Sequence, residues 1–353
     1  MAHALAQDLD HILTHAGSIL DALRGQNIFI TGGTGFVGAW LVESFVWANE
    51  RLNLNARAVL LTRNPDSFRT KALDAANHRS IQFLQGETDS FEFPEGEFPF
   101  VIHASTETYF EATREQPVSI FDRELNGTRH VLEFARTHGT RRFLFTSSGA
   151  IYGKQPVELT HIPEDYAGAP LSTDPSSAYS QAKRISEWQC MMYGSQYGFA
   201  ALIARLFAFA GPHLALGANF AVGNFIQDVL GGGPLRIVGD GTPYRSYLYA
   251  ADLAIWLWTI LLEGAAARPY NVGSGDAVTI VELANIVIAN TAPGRPIEIA
   301  RKAVLGAPAA RYVPSVERAR TELGLRTIVP LDEAIRRMYR WNRALKGSLS
   351  AMP

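Results

Sequence analysis

The chain has 353 residues, 47% hydrophobic and 19% charged, with 32 lysines and arginines against 34 acids for a formal net charge of −2. That length supports one large domain or two unequal ones around a full apolar core, and the basic residues are too scattered to form the positive stripe that nucleic acid requires. The single cysteine, Cys190, excludes an internal disulfide and fits a reducing compartment.

Residues Leu5 to Leu23 place Leu5, Leu9, Ile12, Leu13, Ile19 and Leu20 near helical spacing, which predicts one or two amphipathic helices ahead of the first strand. His11 and His15 have the i, i+4 spacing of metal ligands. No third ligand accompanies them, so the expectation is a solvated helix face and no metal. Asp8, Asp10 and His11 stand where a secretory signal needs a basic start and an unbroken apolar core. The longest apolar run, Leu253 to Leu262, is too short to span a bilayer. Both features predict a cytoplasmic protein with no membrane partner.

Asn27 to Thr31 reads as a buried strand that runs directly into Gly32, Gly35 and Gly38, spaced G-x-x-G-x-x-G, and then into a helical stretch from Phe36 to Ala48. The first glycine permits a tight turn, the second lets backbone amides approach a pyrophosphate, and the third lets helix and strand pack closely. No G-K-S/T follows, which excludes a mononucleotide P-loop. A dinucleotide cofactor is therefore expected. The second strand, Arg57 to Thr62, ends in Arg63 rather than an acid. A guanidinium suits a 2′-phosphate, so NADP is preferred to NAD.

Ile81 to Gln85 and Phe100 to Ala104 read as the third and fourth strands, with the loop FEFPEGEFPF between them expected to cover a sheet edge. Glu107 and Thr108, in the loop after the fourth strand, stand where open α/β sheets place ligands and are candidates for substrate hydroxyls. A helix from Pro117 to His138 and a strand from Arg142 to Ser147 continue an alternation that predicts an α/β, doubly wound parallel sheet. Tyr179 and Lys183 share one face of the next predicted helix. An ammonium there is expected to lower the phenol pKa and make the tyrosine a usable acid/base, with a serine from the preceding strand end on the same substrate oxygen.

The glycine triplet, the serine at a strand end and the Tyr-Lys pair, in that order, resemble the extended short-chain dehydrogenase/reductase family, in its NAD-dependent epimerase/dehydratase group acting on nucleotide sugars. The resemblance runs from Gln26 to about Trp341. It implies a Rossmann-type fold with a smaller C-terminal α/β substrate domain: an N-terminal helical extension at 1–25, a dinucleotide domain at 26–206 and a mainly substrate-binding part at 207–345. Catalytic roles fall on Ser148, Tyr179 and Lys183, with hydride transfer at C4 of the sugar. Cofactor contacts fall on Gly32, Thr34, Gly35, Phe36, Val37, Gly38, Glu87, Thr88 and Ala104, with Tyr179 and Lys183. Asn224 in VGNFI and Ser148 are implied on the substrate side, with Arg245 and Arg311 holding the diphosphate. The helices at Pro117–His138 and Ser177–Tyr197 correspond to those that pair in the family's homodimers.

Departures from the family pattern select among its reactions. Gly149 and Ala150 stand where 4,6-dehydratases carry Asp-Glu and decarboxylases usually a glutamate. Epimerisation or 4-keto reduction is therefore expected, with dehydration or decarboxylation by an atypical base, or a cofactor-binding regulator without turnover, as alternatives. Glu87 replaces an aspartate, Glu124 an asparagine, and Ala208 and Ala210 the asparagine and tyrosine of R-x-F-N-x-Y-G-P.

Overall fold

The computed structural model describes residues 3–69, 74–106, 116–218 and 220–350. After α1 (Ala6–Leu20), the chain alternates β1 (Asn27–Thr31), α2 (Phe36–Arg51), β2 (Arg57–Thr62), the short α3 (Pro65–Arg69), β3 (Ile81–Gln85), β4 (Phe100–His103), α4 (Pro117–Thr137), β5 (Arg142–Ser148), α5 (Ala178–Tyr197) and β6 (Ala200–Leu206). Shorter elements follow: β7 (Phe209–Ala210), α6 (Ala221–Gly231), β8 (Leu235–Ile237), β9 (Tyr244–Arg245), β10 (Leu248–Tyr249) and α7 (Ala250–Glu263). The rest of the chain contributes β11 (Pro269–Val272), β12 (Val278–Thr279), α8 (Ile280–Thr291), β13 (Ile297–Ile299), β14 (Arg311–Tyr312), α9 (Glu317–Leu323) and α10 (Leu331–Ser350).

Seven parallel strands in the order β11-β6-β5-β4-β1-β2-β3 form the central sheet. Because helices cover both faces, alternate residues of one strand meet different cores. Ile28 and Ile30 point to the face covered by α1, α2 and α7, while Phe29 points to the face covered by α4 and α5. The strand order reverses between β1 and β4, which opens a crevice at the carboxyl ends of those strands. β11 returns from the C-terminal part of the chain to pair with β6.

Two sequence expectations are corrected by the packing. The loop after β3 covers no edge: Phe91 stacks on Phe29 of the central strand β1, with ring centroids 5.3 Å apart, and Phe98 lies against Phe134 of α4. His11 does not sit on a solvated face. Its Nε2 lies 3.1 Å from Oδ1 of the buried Asp252 in α7, whose other oxygen accepts the amides of Ile328 and Val329. Asp8 likewise accepts from Tyr249 at 2.8 Å and from Arg337 of α10 at 2.5 Å.

The N-terminal helix is thus part of the core, with Leu5, Leu9, Ile12, Ala16 and Leu20 buried. Leu9→Ala, which would empty a site only 1% exposed, is expected to lower stability by about 2–5 kcal/mol in urea unfolding. Element bounds shift by one to three residues: β4 stops at His103 rather than Ala104, α4 at Thr137 rather than His138, and α2 runs on to Arg51 rather than Ala48. Among the described residues no helix is long and apolar enough to cross a membrane.

Candidate active site

The crevice is lined first by the glycine turn after β1. Gly32 has φ +70°, and a Cβ there would stand 2.5 Å from the Ala104 backbone at the end of β4. A Cβ at Gly38 would stand 2.2 Å from Gly32 O and 2.5 Å from Gly33 Cα, so α2 can lie against the turn only as glycine. At Gly35, which precedes α2, only Gly32 O at 3.4 Å would be met, and no side chain caps the helix. The first-turn amides, at Phe36, Val37 and Gly38, are left for a ligand, and the turn fits a pyrophosphate. Thr34 lies within this turn. Arg63 directly follows β2 at the surface, and Glu87 and Thr88 follow β3, Thr88 packed against Gly127 of α4.

Across the crevice, β5 ends in Ser148, 8% exposed, whose Oγ accepts the Ala150 amide at 3.1 Å. The Tyr179 side chain, from the first turn of α5, faces Ser148 and Thr106. The expectation for its acidity is overturned. The phenol is pushed up to about 12, by burial first and by the Glu124 carboxylate second. Lys183 does not counter this, because its charge is engaged elsewhere: Nζ lies 2.7 Å from Glu124 Oε1 of α4 and donates to Thr146 O at 3.0 Å, under the Phe145 ring. The lysine is 0% exposed and the glutamate 9%. Helical spacing put Tyr179 and Lys183 on one face, but the carboxylate facing that lysine comes from another helix.

Three contributors escaped the sequence reading. Thr106, whose Oγ1 donates to Glu124 Oε2 at 3.1 Å, stands one residue before the chosen pair Glu107 and Thr108, which lie outside the described residues. Glu124 was noted only as a departure from a pattern. Tyr312, next to Arg311, is the third: its hydroxyl faces Ser148 and donates to Leu206 O at 3.5 Å, burial pushes its pKa up, and its ring packs 4.7 Å from Phe207. Phe207 in turn fills the space beside Gly149, where a Cβ would stand 2.6 Å from its ring.

Beside Tyr312 opens a cleft of about 410 Å³ lined by Lys154, Gln155, Arg245 and Arg311. The parallel pairing of β9 with β14 sets the two arginines beside each other's strands. Arg245 lies 5.8 Å from the Tyr312 ring and Arg311 4.0 Å from that of Tyr244. Asn224, on α6, has a buried Oδ1 with no protein partner among the described residues.

Beneath the crevice His103 is buried between Thr31, at 2.7 Å, and Thr128, at 3.1 Å, and burial with nearby Lys183 pushes its pKa down to about 3. The unfolded chain takes up this proton near pH 6.5, whereas the folded one refuses it until about pH 3. Stability should therefore fall as pH drops through that window, by up to about 1.4 kcal/mol per unit from this group. His103→Gln should flatten the slope between urea unfolding curves taken at successive pH values.

A sequence model described as the NAD dependent epimerase/dehydratase family matches residues 28–273. UDP-glucuronic acid decarboxylase 1 of Danio rerio is 26% identical over 325 residues, spanning 90% of this chain and 72% of that protein. UDP-glucuronic acid decarboxylase 5 of Arabidopsis thaliana is 29% identical over 316 residues, spanning 88% and 87%. Among solved structures, UDP-glucose 4-epimerase of Thermotoga maritima, with UDP-glucose, superposes with a TM-score of 0.76 at 20% identity, over 91% of this chain and 100% of that one. The dTDP-glucose 4,6-dehydratase DesIV of Streptomyces venezuelae, with NAD bound, gives 0.76 at 22% identity, over 92% and 98%. At these identities the superpositions establish the fold.

Proposed function

This chain belongs to the NAD-dependent epimerase/dehydratase family, and from that premise we propose that it moves a hydride at C4 of a nucleotide-diphosphate sugar, ending in epimerisation or in reduction of a 4-keto group. The observation that carries this reading is the group of hydroxyls, Tyr179 and Tyr312 facing Ser148 at the carboxyl end of the sheet, with no carboxylate following Ser148. Dehydration removes a proton from C5 and needs a base there, and Gly149 and Ala150 offer none. Tyr179, protonated up to about pH 12, suits donation to a ketone oxygen.

A bound nicotinamide would supply the hydride or accept it. The glycine turn at Gly32, Gly35 and Gly38, with the amides of α2, would hold its pyrophosphate. Arg63 favours NADP, while the family and the NAD-bound relative favour NAD. On the other side, Arg245 and Arg311 would grip the substrate diphosphate as planar donor forks and Asn224 would offer its open oxygen to a sugar or base donor.

A second reading, decarboxylation of a nucleotide-linked uronic acid, is favoured by the curated relatives, which are UDP-glucuronic acid decarboxylases. Incubation of UDP-glucose, UDP-galactose and UDP-glucuronic acid with NAD, and of a 4-keto nucleotide sugar with NADPH, separates the outcomes. A C4 epimer with no net cofactor change means epimerisation. Loss of one NADPH per ketone means reduction. Carbon dioxide released from UDP-glucuronic acid means the second reading, and cofactor binding with no turnover of any of these means a regulator.

We further propose a homodimer through α4 and α5. Trp188 is 62% exposed and Met192 36%, one helical turn apart on α5, a costly surface to leave in water. Light scattering should give twice the 38.7 kDa chain mass, and Trp188→Lys should return it to the single-chain value.

A further inference from the structure

Ser148 ends β5, and the two strands beside it in the sheet, β4 and β6, end in different chemistry. β4 runs out into Ser105 and Thr106, two hydroxyls. β6 runs out into Phe207, Ala208, Phe209 and Ala210, four residues in a row without a hydrogen-bonding side chain. Backbone bonds fix that stretch: the Phe207 amide donates to Val272 O at 3.0 Å, and Ala208 O accepts the Leu248 amide at 3.1 Å. Phe207 and Ala208 are each half-buried, so part of both stays open at the carboxyl end of the sheet. The Phe207 ring lies between the Tyr312 ring, at 4.7 Å, and Gly149, where an added Cβ would stand 2.6 Å from it. The Phe209 ring lies 6.2 Å from that of Phe36 in the first turn of α2, which carries the apolar wall toward the glycine turn.

On the hydride-transfer reading the C4 oxygen of the sugar lies at Ser148 and Tyr179, and the ring neighbours of C4 face the two sides. One neighbour, C3, carries a hydroxyl. The other, C5, carries the exocyclic C6, which is a hydroxymethyl, a carboxylate or a methyl group. We propose that C3 lies toward β4 and C6 against the β6 wall, and that C6 is a methyl group, so that the substrate is a nucleotide-linked 6-deoxyhexose. The inference rests on the hydride-transfer reading and deepens it by naming the class of sugar.

Each other state of C6 meets a physical objection at this wall. A hydroxymethyl pressed on Phe207 and Ala208 gives up water and, among the described residues of that stretch, finds no side chain to replace it. A carboxylate needs a cation as well. Arg205, two residues before Phe207, is spent on Glu187 at 2.8 Å and on the Tyr152 hydroxyl at 2.8 Å. Lys154, Arg245 and Arg311 line the cleft beside Tyr312, on the side given to the diphosphate. A methyl group gives up no hydrogen bond and gains from burial of its surface. On the β4 side, Thr106 Oγ1, which donates to Glu124, has an oxygen that can accept from the C3 hydroxyl.

The test takes glucose, 6-deoxyglucose and glucuronic acid, with their C4 epimers, as UDP and dTDP conjugates. It measures kcat/KM for the C4 epimer or the reduced cofactor formed with NAD or NADP. The 6-deoxy sugar should exceed its hydroxymethyl counterpart by at least about tenfold, the scale on which an apolar pocket separates groups of this size. Ala208→Asn, which sets an amide on the wall, should shrink that ratio by at least about fivefold, with NAD affinity within about threefold. Phe207→Leu keeps the wall apolar and should leave the 6-deoxy sugar preferred. Each ratio compares two substrates on one preparation, so partial loss of folded protein does not alter it. Should Ala208→Asn fail to fold, the native ratio decides alone. A native ratio below about tenfold, or a preference for the carboxylate, overturns the inference and keeps the C4 reading. A ratio that Ala208→Asn does not shrink, or a preference that Phe207→Leu abolishes, overturns it in the same way. Absence of C4 chemistry on every one of these sugars rejects both.

Discussion

Tyr179→Phe is expected to lower kcat by roughly 10²–10⁴-fold, the range of positioned acid–base catalysis, while NAD affinity stays within about threefold. Both halves of the expectation come from the geometry. The hydroxyl is the part of the side chain that faces Ser148 and Thr106, and it is the group removed. The glycine turn that would hold the cofactor lies across the crevice, built on β1 and α2, and the change does not touch it. Lys183 and Glu124 also remain paired. Turnover assayed beside NAD binding by calorimetry checks it: equal loss of both would mean that the hydroxyl serves cofactor binding rather than proton transfer.

Gly38→Ala is expected to abolish dinucleotide binding and to destabilise the fold. Two effects oppose each other. Alanine in place of a helical glycine gains about 0.5–1 kcal/mol. Against that, the new Cβ would lie 2.2 Å from Gly32 O and 2.5 Å from Gly33 Cα, both backbone atoms of the turn itself. Neither can rotate away, so α2 must move off the turn, at a cost of about 1–3 kcal/mol or more. A displacement of that order at the amides facing the pyrophosphate is worth about a hundredfold in productive positioning. Gly347→Ala, with nothing within 4 Å of the new Cβ, should instead show the helical gain alone. Urea unfolding and NAD titration of the two variants make the comparison.

The central strands were legible because parallel strands buried on both faces read as unbroken apolar runs. NIFIT and RAVLLT have the bounds the sequence implied. What could not be read is whatever depends on strands of two residues. The pairing of β9 with β14 brings Tyr312 to Ser148, and no periodicity announces elements that short. Lys183 had a helix-mate at the right spacing, but its charge answers to Glu124 from another helix. His11 suggested solvent by its own neighbours, yet it meets an aspartate 241 residues away. Local pattern carries the scaffold and the candidates; the electrostatics of the site arise from contacts made between distant segments.

The ring of Phe207 against Gly149 has a consequence for how the chemistry of such a chain can drift over evolutionary time. An aspartate following Ser148 would place its Cβ 2.6 Å from the ring of Phe207, so that ring must give way to admit it. Phe207 would have to shrink first, and Tyr312 would lose the surface it packs on. Acquiring an acidic pair after Ser148 therefore carries a packing cost at two aromatic residues, and a chain that fills this corner with a ring holds that position against a carboxylate.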